Sequence, residues 1–169
     1  MQGKAFQNSL KSLLKMDFSN EKLLQLEQLM PIIKESLSNG NNVRFSPRGT
    51  SMLPMLRQGK DSVVISPIKG KLKKYDLPLY QRDNGQYVLH RIVAVGDTYT
   101  CIGDNQFVYE YDIRQDQLIG VVTAFERDDK KYSTNIASYR LYCIVWHYSR
   151  VFRKLWRKLK SKIKEMPGK

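Results

Sequence analysis

The chain has 169 residues, with 29 Lys and Arg against 16 Asp and Glu and a formal net charge of +13. That length suits one domain with a real core and a helical appendage at either end. No apolar run reaches the roughly 18 residues of a membrane span, and MQGKAFQNSLKSLLKMDFSN at the start has neither an apolar core nor a small-residue cleavage site, so a protein made and kept inside the cell is expected.

Residues 1–40 read as a helical segment. Asn20 can cap a helix whose apolar residues Leu23, Leu24, Leu26, Leu29, Met30, Ile32 and Ile33 recur at three-to-four spacing. Pro31 is a kink site, and Ser38-Asn39-Gly40 stops the helix. The plain use of such a helix is core packing or a dimer contact. Docking of a leader peptide or of a partner modification enzyme is the sharper one.

Residues 41–130 read as a β-rich domain. Val43–Phe45 is short and extended, and Ser62–Ser66 (SVVIS) is a β-branched run ended by Pro67. Leu77–Gln81 runs into Arg82-Asp83-Asn84-Gly85, whose Asn-Gly pair signals a hairpin. Gln86–Val95, Gly96-Asp97 and Thr98–Ile102 predict a second hairpin, and Leu118–Phe125 another strand. About five or six short strands without intervening helices predict a mostly antiparallel β domain, flanked by an N-terminal helix and a basic amphipathic C-terminal helix.

That last helix is predicted over residues 138–166. Ile144, Tyr148, Val151, Phe152, Leu155, Trp156, Leu159 and Ile163 form one stripe, and eight Lys or Arg lie between Arg150 and Lys164 with no acid before Glu165. Aromatic residues against lysine and arginine is the pattern of an interfacial anchor, with Trp146, Phe152, Arg153, Lys154 and Trp156 at an anionic membrane surface. The competing expectation is that the apolar stripe docks on the β domain and the charges are merely solvated. Nucleic acid is not expected as a partner, because the β domain offers no basic aromatic strand surface. Cys101 and Cys143 stand far apart in no metal spacing, so buried thiols are expected, with a disulfide left open; no metal or cofactor is implied.

The second hairpin carries the chemistry. A two-residue turn at Gly96-Asp97 pairs Val95 with Thr98 and Ala94 with Tyr99, which sets His90 opposite Gly103, next to Asp104. Strict alternation would turn Asp104 to the other face; Gly103 is the residue able to bend the chain and undo that. An imidazole and a carboxylate are what a weakly nucleophilic serine needs: a base near neutrality to take its proton, and an acid to fix the tautomer. Ser51, in Gly49-Thr50-Ser51-Met52-Leu53-Pro54, is the candidate nucleophile. Backbone N–H groups near Gly49–Ser51 could hold the oxyanion.

Ser51-Met52-Leu53-Pro54, then Tyr87-Val88-Leu89-His90-Arg91-Ile92-Val93, then Gly103-Asp104-Asn105 resembles the signal peptidase I superfamily, box by box and in order. The bacterial export enzymes have lysine in front of the arginine; His90 here resembles the endoplasmic-reticulum and archaeal branch. The resemblance implies Ser51 as nucleophile, His90 as general base and Asp104 as supporting acid. It also implies substrate contacts at Gly49, Met52, Pro54, Leu89 and Arg91, with an extended peptide added to the strand before Ser51 and to the one carrying Leu89. Residues 107–114 depart from the family's stretch after its third box, leaving Asp112 as the alternative acid. Gly49 has no hydroxyl for the oxyanion, and the N-terminal membrane span of the export enzymes has no counterpart.

The expectation is therefore a serine endopeptidase that cleaves leader- or signal-like precursors with small residues near the cut. It would act in the cytoplasm or peripherally at the inner membrane face, with a modification enzyme or an ABC exporter as partner. Two rivals stand beside it. One is a non-catalytic module that holds a leader peptide or membrane on the same fold. The other is a self-cleaving regulator of the LexA type, which would need a lysine base and a DNA-binding helix-turn-helix.

Overall fold

The computed structural model describes residues 26–165, with side chains for 29–160. The expected cap at Asn20 lies outside the described residues. The architecture is mostly antiparallel β. One sheet has the order β1 (Val43–Phe45), β2 (Ser62–Ser66), β8 (Leu118–Arg127), β3 (Pro78–Gln81), β4 (Tyr87–Leu89), and β9 (Lys130–Ser133) pairs with the far end of β8. The second sheet is β5 (Arg91–Val95), β6 (Tyr99–Ile102), β7 (Glu110–Ile113). Helix α1 (Leu26–Ser38) precedes the strands, and α2 (Ala137–Tyr148) and α3 (Arg150–Glu165) follow them.

Period-two patterning divides the interior into two cores. Val63 and Ile65 of β2, with Leu77 and Leu79 at β3, meet Met30, Ile33 and Leu37 of α1 and Tyr139 and Cys143 of α2. The α1 residues recur at helical spacing, so one face of the helix is buried. It lies so close that a Cβ on Gly120 would stand 2.4 Å from Ile65 Cγ2 and 3.0 Å from Leu37 Cδ1. On the opposite face of β3, Tyr80 joins Ile92, Tyr99, Cys101 and Ile113 in the second core. The helical segments at both ends thus share the first core with the β domain. Burial of each branched side chain contributes roughly 1.5–3 kcal/mol.

The Asn-Gly hairpin forms as expected. Gly85 has a φ of 85° and donates to Arg82 O, while Arg82 N–H donates to Gln86 O at 2.8 Å. The second hairpin differs at its turn: Val95 pairs with Tyr99, so Gly96, Asp97 and Thr98 all lie in the loop. A register shift between Ile92 and Ala94 cancels that difference, restoring Ile92↔Cys101 and Arg91↔Ile102. The Gln86–Val95 run is not one strand. It breaks at His90, where the chain leaves the first sheet and enters the second. Strands β7 and β9 have no counterpart among the strands expected from the sequence.

The expected single C-terminal helix is two, separated by Ser149. The Trp146 carbonyl accepts from Ser149 Oγ at 3.1 Å and from Arg153 Nη2 at 2.7 Å, side chains that compete for the helical ladder. Among the described residues, no helix is long and apolar enough to cross a membrane.

Candidate active site

Ser51 lies in a turn after β1. Met52, Met55 and Leu56 are buried in the first core and pin the turn, leaving Ser51 half-buried. Leu53 N–H donates to Thr50 O and Leu56 N–H to Met52 O, and Arg127 Nη2 donates to the carbonyls of Pro54 and Met55. Gly49 takes a φ of 89°, which its lack of a Cβ permits. Its N–H is committed to Gln58 Oε1 at 2.9 Å, so it is not a donor to an oxyanion. Among the described residues, the N–H groups of Thr50, Ser51 and Met52 donate to no protein group, which leaves them for that task.

The segment Gly103-Asp104-Asn105 is stitched to this turn. Asn105 N–H donates to Ser51 O at 2.8 Å, and Asn105 Nδ2 donates to Thr50 O at 3.1 Å. A Cβ on Gly103 would stand 2.7 Å from Ser51 O, so glycine is required for the approach. The β5–β6 pairing ends at Arg91↔Ile102, next to His90 in one chain segment and to Gly103 in the other. Among the described residues, no hydrogen bond joins Ser51 Oγ to His90.

His90 is 2 % exposed, and its acid partner is Glu110, not Asp104. Nδ1 lies 2.8 Å from Glu110 Oε1 and 3.4 Å from the Tyr80 hydroxyl, which itself donates to Glu110 Oε2 at 2.9 Å. Arg82 grips the same carboxylate from outside, Nε to Oε2 at 2.8 Å and Nη2 to Oε1 at 2.5 Å. Burial favours the neutral carboxyl, but the bonds from Arg82, His90 and Tyr80 outweigh it and hold Glu110 well below the usual carboxylate range. An ionised carboxylate only accepts, so a neutral His90 carries its proton on Nδ1 and presents the Nε2 lone pair. Desolvation and the neighbouring Cys101 and Glu110 push the Tyr80 phenol far up, so it stays a donor.

Asp104 is committed elsewhere. Its carboxylate takes a two-pronged bond from Arg91, Nε to Oδ1 at 2.8 Å and Nη2 to Oδ2 at 2.7 Å, and both residues are buried. Strict alternation explains this: His90 and Arg91 point to opposite faces, and Asp104 goes with Arg91. The bend at Gly103 does not bring it to the imidazole. Arg91 is accordingly no substrate contact. Its remaining donors reach the Tyr139 hydroxyl at 2.7 Å, Tyr75 O, Cys143 Sγ and Met55 Sδ. Asp112, the alternative acid, sits at φ 58° and, among the described residues, accepts a 3.4 Å bond from Thr98 on the exposed side.

Of the remaining expected contacts, Met52 and Leu89 are core residues, while Gly49 and Pro54 are exposed. β1 and β4, the strands meant to receive a peptide, are the two ends of the first sheet's strand order, each with an edge that pairs with no other strand among the described residues. Trp146 and Arg153, expected at a membrane, instead turn onto the domain. Trp146 Nε1 donates to Asp104 O at 2.9 Å, Arg153 Nη1 to the same carbonyl at 3.0 Å, and the Arg153 guanidinium lies 3.7 Å over the indole. Phe152, Lys154 and Trp156 are exposed.

Glu110, Tyr80 and Arg82 were not singled out in the sequence. Glu110 lies in the stretch 107–114, where the sequence offered no match to the motifs quoted above, and its pairing opposite Cys101 carries it to His90. Cys101 and Cys143 are free and buried. Burial pushes the Cys101 thiol up to about 12, with Glu110 adding to it. Among the described residues, no cluster of His, Cys, Asp and Glu is arranged to hold a metal ion. No protein-family model matches the chain, and no curated protein matches it. The fold and site together define a mostly antiparallel β protein in which a serine turn is bonded to Asn105 and a buried histidine is bonded to Glu110.

Proposed function

We propose that the chain is a serine endopeptidase of signal-peptidase type. Ser51 Oγ attacks the scissile carbonyl carbon as its proton passes to His90 Nε2. The carbonyl oxygen becomes an oxyanion facing the N–H groups of the serine turn. Collapse breaks the peptide C–N bond, and the imidazolium returns the proton to the leaving amine; water then repeats the cycle on the acyl-enzyme. Glu110 holds the imidazole in the required tautomer. The observations that support this reading most are the pair of Asn105 bonds that hold the serine turn at Gly103 and a buried histidine whose Nδ1 is tied to a carboxylate.

The outer edges of β1 and β4 suit an extended substrate, for which we infer a leader- or signal-like precursor with small residues near the cut, processed at the inner membrane face. A fluorophosphonate probe tests the chemistry. Labelling of the wild type, lost in Ser51→Ala and in His90→Ala, supports it. The missing Ser51–His90 hydrogen bond favours a second reading, a peptide-holding module without catalysis. Catalytic hydrogen bonds are often loose before substrate binds, which keeps the peptidase first. Absence of labelling in a wild type that still binds an extended leader peptide would decide for the module.

A further inference from the structure

Helix α3 sits on the domain in an orientation opposite to the ordinary one, unlike α2, which buries Tyr139 and Cys143. In a docked surface helix the apolar stripe faces inward and the charges outward. Here the arginines face inward. Arg150, 5 % exposed, reaches toward Gly103 O, Arg153 holds Asp104 O, and Arg157 donates to Asn105 Oδ1 at 3.0 Å while lying 5.1 Å over the Phe107 ring. The apolar stripe is left in solvent: Val151, Phe152, Leu155 and Trp156 are 74, 76, 66 and 60 % exposed, continued on α2 by Ile144 and Tyr148. A stripe this long on a monomer marks an interaction surface.

What covers it is indicated by the charges beside it. Exposed Lys154 and Lys160 flank the stripe on either side, in a chain of net charge +13. Lysines bordering an apolar face with a tryptophan at its margin suit a bilayer interface, where the face enters the acyl boundary and the ammonium groups reach lipid phosphates. We propose that this face is a docking surface for an anionic phospholipid bilayer. Docking there needs no catalytic role for Ser51. It also has a consequence for the proposed peptidase: a groove of about 700 Å³ between the helix and the serine turn is lined by Leu53, Pro54, Phe107, Phe152 and Trp156, so the bilayer would lie against the turn that carries Ser51.

The test is co-sedimentation of the full chain with vesicles of phosphatidylcholine alone or mixed with phosphatidylglycerol, at low and high salt. Binding is expected to the mixed vesicles, weakened by salt, with a blue shift of tryptophan emission. Lys154→Gln with Lys160→Gln should weaken it about 25-fold, roughly fivefold for each lysine. Leu155→Asp with Trp156→Asp should abolish it; both side chains stand in solvent, and far-UV circular dichroism and a thermal melt verify the fold. The proposal is overturned if the wild type stays in the supernatant, or if the double aspartate variant binds as well as the wild type. It is equally overturned if the face proves to be covered by a second copy, seen as a dimer that the aspartates dissociate and vesicles do not displace, or if the chain prefers duplex DNA to the mixed vesicles.

Discussion

Replacing Asp104 by Asn separates two roles that the same residue could play. If Asp104 were the acid of a catalytic triad, Asp104→Asn would leave a well-folded, inactive protein. Its contacts argue for a stability effect instead. Arg91 is 1 % exposed, and among the described residues the one anion it hydrogen-bonds is Asp104, itself 0 % exposed. Tyr139, Tyr75, Cys143 and Met55 supply neutral acceptors that cannot balance the charge. Removing one member of a buried, doubly hydrogen-bonded ion pair costs about 3–5 kcal/mol, because the survivor is left charged and dry. Against a typical total of about 5–15 kcal/mol this is a large share. At about 2–4 °C per kcal/mol for a chain of this size, the melting temperature should fall by roughly 6–20 °C. Urea unfolding followed by tryptophan fluorescence measures the loss. Arg91→Met combined with Asp104→Leu should recover most of it, since a packed apolar pair carries no desolvation cost. A loss below about 1 kcal/mol for Asp104→Asn would refute the assignment of this pair to structure.

Glu110 offers a pH test. Its pKa is held well below the ordinary glutamate value of about 4.5, so its pairing contributes full stability above that value and loses it as pH falls through and below it. The gap in urea midpoint between wild type and Glu110→Gln should therefore be largest at neutral pH and shrink in acid; a gap that grows in acid would contradict the ion-pair geometry. Gly103→Ala places a Cβ 2.7 Å from Ser51 O, so the serine turn must shift. Its fluorophosphonate labelling rate should drop at least tenfold, about 1.4 kcal/mol in barrier, while the melting temperature changes by only a few degrees. Unchanged labelling would show that the turn does not need its seat on Gly103.

Local chemistry carried a large part of this structure. Ser62–Ser66 and Val43–Phe45 declare themselves by β-branched or aromatic alternation, and Asn84-Gly85 declares its turn by the φ of 85° that glycine adopts freely. The pairing of Arg91 with Ile102 and of Ile92 with Cys101 also came through, although the loop at Gly96 is longer than the turn signal implied. A bulge at Val93 compensated, and bulges leave little trace in a sequence read by period. β7 was hidden because Asp112, at φ 58°, interrupts its alternation.

What the residues determined alone is therefore the set of chemical groups and the faces they take: a serine in a glycine turn, a histidine and an arginine adjacent in the chain and turned opposite ways, a terminal helical stretch apolar on one side and cationic on the other. Period and side-chain type suffice for that. Which partner each group meets was decided only by tertiary structure. Glu110 rather than Asp104 reaches His90, Asp104 closes on Arg91, and the arginines of α3 rather than its apolar stripe grip the domain. These pairings join strands and helices distant in sequence, and their energies depend on burial that forms only when the sheets close.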